Sequence, residues 1–513
     1  MSPIRRRILP PVALAACATL ALGLTPAAAA NTVPDGPALA KQLVKKVGVD
    51  GVNRHLIALQ RIADTNGGTR AASTEGHKKS AEYIANKLTA AGFQVTRQEF
   101  PFTYAETLAE KLTAGGANVP VIAMEYTVST PVGGITAPLA VVPVDDTSGC
   151  EATDYSADVA GKIALIKRGG CSFAQKQETA AAAGAIGAIV YNNTDGALNG
   201  TLGDPAVAKI PTGGVTAAAG AQLATLGGQS VTLELRAFQE ARTSYNVIAE
   251  TKTGRKDNVV MLGSHLDSVP AGPGINDNGS GSATLLETAL QLGSSPKVNN
   301  AVRFGFWSSE EFGLIGSTYY VDQLSFEQQL DIALYLNFDM IGSPNAGYFA
   351  YDGDNSDGVG AGPGPYGSAQ IEKTFVDFMQ AARGVSLEGT DFTGRSDYGE
   401  FIAVGIPAGG LDTGAEVLKT PAQAAKWGGT ANIAFDPCYH QACDNLGNID
   451  RVALDRNADG VAWALGVYAT STESVNGVKP GKSKTVKQKA AERGAQRNFS
   501  ARAVAGDPHA LTA

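Results

Sequence analysis

Of the five histidines in 513 residues (His55, His77, His265, His440 and His509), His265 and His440 stand in segments that also carry carboxylates. His265 ends the apolar run "VVMLGS" and is followed by Asp267 in "HLDS". Asp277 lies in "GPGINDNGSGS", a loop too rich in glycine to pack a core, where a carboxylate can offer two oxygens to two cations. "FGFWSSEEFGLIGS" sets Glu310 beside Glu311 where a strand hands over to a helix, so one can bind metal while the other faces substrate. Asp339 closes the run "LYLNFDMIGS", where a buried carboxylate is costly unless a cation or hydrogen-bond donors answer it. His440 follows Tyr439 in "FDPCYHQACDN". Taken singly, each has a plain structural alternative: a strand-end histidine, a turn or capping aspartate, an acidic first helical turn. Together, two histidines and three or four carboxylates emerging after separate strands form a nitrogen and oxygen ligand set suited to zinc with a position open for water. Two ions about 3.5–4 Å apart sharing one carboxylate would suit amide hydrolysis.

Strands and helices must position these groups. "YNVIAET", "NVVMLGSHL", "AVRFGFWSS" and "ALYLNFDMIG" read as buried strands, with helical patterns between them at about 280–293, 312–325 and 368–383. That alternation predicts an α/β fold, a mixed, mostly parallel central sheet flanked by helices, with its chemistry on loops at the carboxyl ends of strands. Upstream, "VNRHLIALQRIAD" and "HKKSAEYIANKLTAAG" read as helices around the break "NGGTRAAST", and "FQVTRQEFPF" alternates as a strand. Between about Tyr126 and Gln239 the chain turns to Gly, Ala, Val and Thr with short strand-like runs, as expected of a β-rich module inserted into a larger domain.

Arg5–Arg7, an apolar run from about Val12 to Leu24, and Ala28 with Ala30 form a secretory signal pattern, so export is expected and no membrane span. Cys17 would leave with that leader. Cys150, Cys171, Cys438 and Cys443 then suit two disulfides; three pairings are open, the pairs close in sequence being the natural choice. The formal charge is −8; setting aside +3 on the leader and +5 on residues 471–513 leaves −16 on the body, which argues against a nucleic-acid partner. The basic tail, poor in apolar residues, is expected to be disordered or removed.

"GSHLDSV", "GINDNGSGSATLLE", "WSSEEFGLIGS", "LNFDMIGSPN" and "CYHQACD" resemble, in order and spacing, the secreted bacterial di-zinc leucine aminopeptidases, relatives of aminopeptidase Y, over about 41–125 and 241–470. The resemblance implies a zinc-exopeptidase fold in a monomer acting on peptides with a free amino end. His265 and Asp339 would hold one zinc and Glu311 and His440 the other, with Asp277 bridging. Glu310 matches the general base and Tyr439 the oxyanion donor. Glu310 and Asp339 would grip the substrate amine, Arg395 in "GRSDYGEF" would lie beside substrate, and Asp267 would orient His265. A cis peptide is implied at Asp277–Asn278. The insert, with Cys150 and Cys171, resembles the protease-associated module. The implied organisation is a leader at 1–30, a peptidase domain at 31–125 and 241–470 (31–40 open to removal as a propeptide), an insert at 126–240 and a tail at 471–513.

Two departures stand out. Compact relatives have an aromatic residue in "GGLFTGA", where this chain has Asp412 in "GGLDTGA", which could attract a basic first residue. Calcium sites occur in some relatives, and Asp455 with Asp459 in "LDRNADG" could contribute to one. A carboxypeptidase or glutaminyl cyclase on the same fold, or a non-catalytic polypeptide-binding protein, are the alternative readings. Against them stand a lone arginine near the motifs, five ligands suited to two ions, and an intact Glu310.

Overall fold

The computed structural model describes residues 36–493 apart from Asp195, Ala361 and Glu492. The expected leader, and the tail beyond Arg493, lie outside the described residues.

Three helices open the fold, Gly36–Lys46, Val49–Thr65 and Glu75–Ala90. The second and third are those expected on either side of "NGGTRAAST". The first packs against the long helix Arg451–Thr470 so closely that a Cβ on Gly466 would strike the Ala40 backbone. With Leu39 and Ala40 buried, the segment expected to be removable supplies its last residues to the core.

β1 (Gln94–Ala114) then leaves the body, and six short strands follow in the insert: β2 (Ala117–Val119), β3 (Ile122–Ala123), β4 (Ile135–Val141), β5 (Ile163–Lys167), β6 (Gly187–Tyr191) and β7 (Thr212–Val215). β4 to β7 pair in parallel around their own core of Leu139, Ile163, Leu165 and Ile189. The Cys150–Cys171 disulfide lies in this insert. β8 (Ser230–Glu250) returns antiparallel to β1, from Ala114↔Val231 to Gln94↔Glu250, so one long ribbon joins the insert to the body.

β9 (Arg255–His265), β10 (Asn300–Trp307), β11 (Ile332–Phe338), β12 (Phe349–Tyr351), β13 (Glu388–Thr390) and β14 (Ala408–Asp412) complete the sheet, in the order β13-β12-β14-β11-β9-β10-β8. β14, β11, β9 and β10 are parallel neighbours. Side chains alternate between faces: Val260 and Leu262 pack with Leu286, Leu334 and Leu465, while Met261 packs with Trp307, Tyr335 and Phe401 on the opposite side. Burial of both faces explains why these strands read as unbroken apolar runs. Parallel strands also end at one edge, which puts the segments after His265, Trp307 and Phe338, and Asp412 itself, side by side.

The described part of the tail departs from the expected disorder. Residues 471–493 fold onto the body: Lys489 donates to Asp331 Oδ1 at 2.8 Å and to the Asp257 carbonyl, and Arg493 donates to the carbonyls of Gln329 (2.8 Å) and Ile332 (3.2 Å). Composition alone misses this, because each cation meets acceptors more than 150 residues away in the chain. Among the described residues no helix is long and apolar enough to cross a membrane.

Candidate active site

His265, at the end of β9, is 1% exposed. Its Nε2 lies 3.2 Å from both Asp277 Oδ1 and Asp339 Oδ1 and 3.9 Å from Glu310 Oε2. His440 Nε2 lies 3.0 Å from Glu311 Oε2 and 3.3 Å from Asp277 Oδ2. One carboxylate, that of Asp277, therefore splits its oxygens between two imidazoles, each of which has a second carboxylate of its own. Ligand atoms about 2.0–2.2 Å from a tetrahedral ion stand about 3.3 Å from one another, which is the spacing found here.

The loops that carry these groups are held tightly. The Asp277–Asn278 peptide is cis. The Asp277 and Asn276 amides donate to the Asp444 carboxylate at 2.9 and 2.8 Å. The Cys438–Cys443 disulfide closes the short loop bearing Tyr439 and His440. Ser309, Met340 and His440 adopt left-handed backbone (φ 59°, 51° and 56°) beside Glu310, Asp339 and Tyr439. Each costs about 1–2 kcal/mol for a residue with a Cβ and persists where its surroundings over-determine it.

Charge balance points to cations. Glu311 Oε1, Asp267 Oδ2 and both Asp397 oxygens are buried without a hydrogen-bond partner. Burial raises Glu310 well above the usual carboxylate range; Asp339, Asp397 and Glu311 add to this and His265 opposes it. Burial likewise lifts Asp267 and Asp397 to about 7. Burial would lower the two imidazoles, but the carboxylates outweigh it, lifting His265 well above its ordinary value and His440 to about 11. A pocket that needs protons this strongly is one that divalent cations would neutralise, and nitrogen and oxygen donors in this arrangement fit zinc.

Glu310, Arg395, Asp412 and Tyr439 line one cleft of about 730 Å³ with Asp277, Glu311, Asp339 and His440. Burial and the nearby Asp277 and Glu311 raise the Tyr439 phenol, keeping it a neutral donor; its ring stacks on His440 at 3.8 Å. Arg395 donates to Tyr439 Oη at 3.4 Å and to Glu416 Oε1 at 3.1 Å. Asp412 sits at the end of β14, opposite Phe349, accepts the Gly414 amide at 2.9 Å, and is raised to about 7 by burial. His265 Nδ1 meets the Asp267 backbone carbonyl at 3.2 Å and its carboxylate only at 3.8 Å, so Asp267 holds the ring chiefly through its main chain. Asp459 is ion-paired with Arg383, and Asp455 accepts the Val49 amide, so both carboxylates that could contribute to a calcium site have partners within the protein.

Three supporting groups escaped the sequence reading. Arg70, in the "NGGTRAAST" break, is fully buried and donates to the carbonyls of Leu266, Pro273 and Gly274. Asp444 lies within "CYHQACD", where its motif was the available signal. Ser396 Oγ donates to Asp339 Oδ2 at 2.7 Å and accepts from Asn337 Nδ2 at 2.8 Å. Asn337 Oδ1 accepts from Tyr335 Oη, which accepts from Trp307 Nε1, so a buried relay ends on Asp339.

Residues 246–465 match peptidase family M28, and residues 135–223 match the PA domain. The chain is 50% identical over 454 residues to the "Probable lipoprotein aminopeptidase LpqL" of Mycobacterium tuberculosis, covering 87% of this chain and 90% of that one. It is 45% identical over 444 residues to an aminopeptidase of Pseudomonas aeruginosa, covering 83% and 82%. Its fold is similar to that of the aminopeptidase from Aneurinibacillus sp. strain AM-1, with TM-score 0.67 and 30% identity over 84% of this chain and 96% of that one. It is also similar to a zinc aminopeptidase from Bacillus subtilis, with TM-score 0.56 and 28% identity over 85% and 97%.

Proposed function

From the premise that this chain belongs to peptidase family M28, as a zinc-dependent aminopeptidase with an inserted PA domain, we propose that it works outside the cell with two zinc ions and Glu310 as general base. The carrying observation is the Asp277 carboxylate divided between His265 and His440, with Glu310 beside them. His265 and Asp339 would hold one ion, Glu311 and His440 the other, and Asp277 both. Bound zinc supplies Lewis acidity at the scissile carbonyl and the attacking water. Glu310 takes the water's proton and passes it to the leaving amine. Tyr439 donates its phenol hydrogen to the developing oxyanion, and Arg395 keeps that phenol in place. Glu310 and Asp339 receive the substrate's ammonium, which is why a free amino end is needed.

The test pairs metal analysis with turnover. Two zinc per chain, Leu-p-nitroanilide cleavage lost to a chelator and restored by zinc, and no release from an amino-acetylated peptide are expected. One ion at full activity, or cleavage of the acetylated peptide, would contradict the reading.

The relay on Asp339 predicts a loss in metal affinity. Ser396→Ala should weaken zinc binding about 10–100-fold, read by competition with a chelator. Unchanged affinity would show that the relay does not position Asp339.

Asp412, set among Phe349, Tyr351 and Tyr398 in the cleft, supports a preference for Lys or Arg as the first residue. Asp412→Phe should shift the Lys-to-Leu ratio of kcat/KM toward Leu by about 10-fold or more. Since its carboxyl is raised to about 7, that ratio in the native protein should grow as pH rises through 7 and fade below it. An unchanged ratio in the variant would remove Asp412 from the specificity pocket.

Export rests on the leader pattern. A mature amino terminus near Asn31 supports release; one beginning at Cys17 would instead indicate an anchored form like that named in the Mycobacterium relative.

A further inference from the structure

A second groove of about 420 Å³ runs between β1 and the insert. Asn199, Glu311 and Gly313 line both this groove and the catalytic cleft, so the two are continuous. Glu106, which accepts from Tyr104 Oη at 3.3 Å, and Glu110, which accepts the Ala123 amide of the facing wall at 2.7 Å, are exposed; Glu125 stands on that facing wall, and among the described residues no Lys, Arg or His lines the groove. β1 faces the space with an open edge: its residues before Leu112 pair with β8 alone, because β2 meets only Leu112–Ala114. Pro270 and Phe312 add apolar surface.

From the cleft that holds Asp412, the shared wall at Glu311 opens a path into the groove. We propose that the groove receives the substrate polypeptide beyond the scissile bond, in extended form along β1, and that Glu106 and Glu110 favour basic residues at its second to fourth positions. This rests on the aminopeptidase reading, and it makes the insert one wall of the substrate site. Both carboxylates are solvated, so each pair contributes modestly and is screened by salt. Their sign still discriminates, because like charges in the same groove repel.

The test compares Leu-Lys-Lys-Lys-Ala with Leu-Glu-Glu-Glu-Ala on the full zinc-loaded chain. Each rate is normalised to the same preparation's rate on Leu-p-nitroanilide, which has no residue beyond the cleaved bond. The native protein should favour the basic peptide by about 10-fold in kcat/KM, less at high salt. Glu106→Gln with Glu110→Gln should reduce that ratio about 5-fold, and Glu106→Lys with Glu110→Lys should reduce it further or invert it. Equal normalised rates on the two peptides, or a ratio indifferent to both double variants, would overturn the proposal. Absence of Leu-p-nitroanilide turnover in the native protein would strike instead at the aminopeptidase reading.

Discussion

Glu310→Gln should retain two zinc ions per chain and lose about 10²–10⁴-fold in kcat, the usual worth of a positioned general base. The substitution keeps the shape and removes only the ability to take a proton. Its backbone amide donates to Asp267 Oδ1 at 3.4 Å, and Ser309 before it holds left-handed backbone, so the side chain is aimed by the main chain. Burial pushes the Glu310 carboxyl well above its ordinary value, as do Asp339, Asp397 and Glu311, against the pull of His265. A base must sit near the working pH to serve in both proton transfers, and burial moves Glu310 upward, in that direction. The acid limb of the native pH profile should therefore disappear in the variant. Metal analysis separates this loss from a loss of ligands. Full turnover in Glu310→Gln would end the assignment of this residue as the base.

Arg70→Met should cost about 3–5 kcal/mol of stability and release zinc, the range expected when a buried charge is removed from its partners. One guanidinium binds the carbonyl just after His265 and two carbonyls just before Ile275, so it splices the loops that present His265 and Asp277. Burial lowers its pKa to about 10 against the pull of Asp444, Asp267, Asp277 and Glu311, which leaves it charged at neutral pH. Without it, the buried carbonyls of Leu266 and Pro273 lose their donor, that of Gly274 keeps only the Gly279 amide, and the surrounding carboxylates lose a fixed cation. Arg70→Lys keeps the charge but reaches fewer carbonyls, so partial recovery is expected. Denaturant unfolding in excess zinc, with zinc content measured alongside, checks both variants. A midpoint for Arg70→Met within about 1 kcal/mol of the native chain would show that the loops hold themselves.

His265, Glu311 and Asp339 were legible because each follows an apolar run long enough to be a buried strand, where a carboxylate or imidazole needs a partner; Asp277, in a glycine-rich loop, and His440, between two cysteines, gained meaning only beside them. The ribbon of β1 and β8 was legible only at its ends, where "FQVTRQEFPF" and "YNVIAET" read as strands. Its middle, "TYAETLAEK", lacks a clean alternation because the ribbon stands off the body and both faces meet solvent in part. Arg70 was invisible for a different reason: a lone arginine in a glycine-rich break has no pattern, and its acceptors lie 196 to 204 residues away. Ser396 likewise acquires its role only when Asn337 at the end of β11 and Asp339 just after it arrive beside its loop.

By itself the amino-acid order determined the kinds of donor, the strand ends that carry them, and the parallel sheet that brings those ends to one edge. All of these follow from local hydrophobic periodicity and the geometry of parallel strands. Only the tertiary structure decided which carboxylate is shared, which oxygens remain without donors, where the buried guanidinium sits, and how the insert walls a groove beside the cleft. Those depend on distances between residues remote in the chain, and no periodicity encodes them.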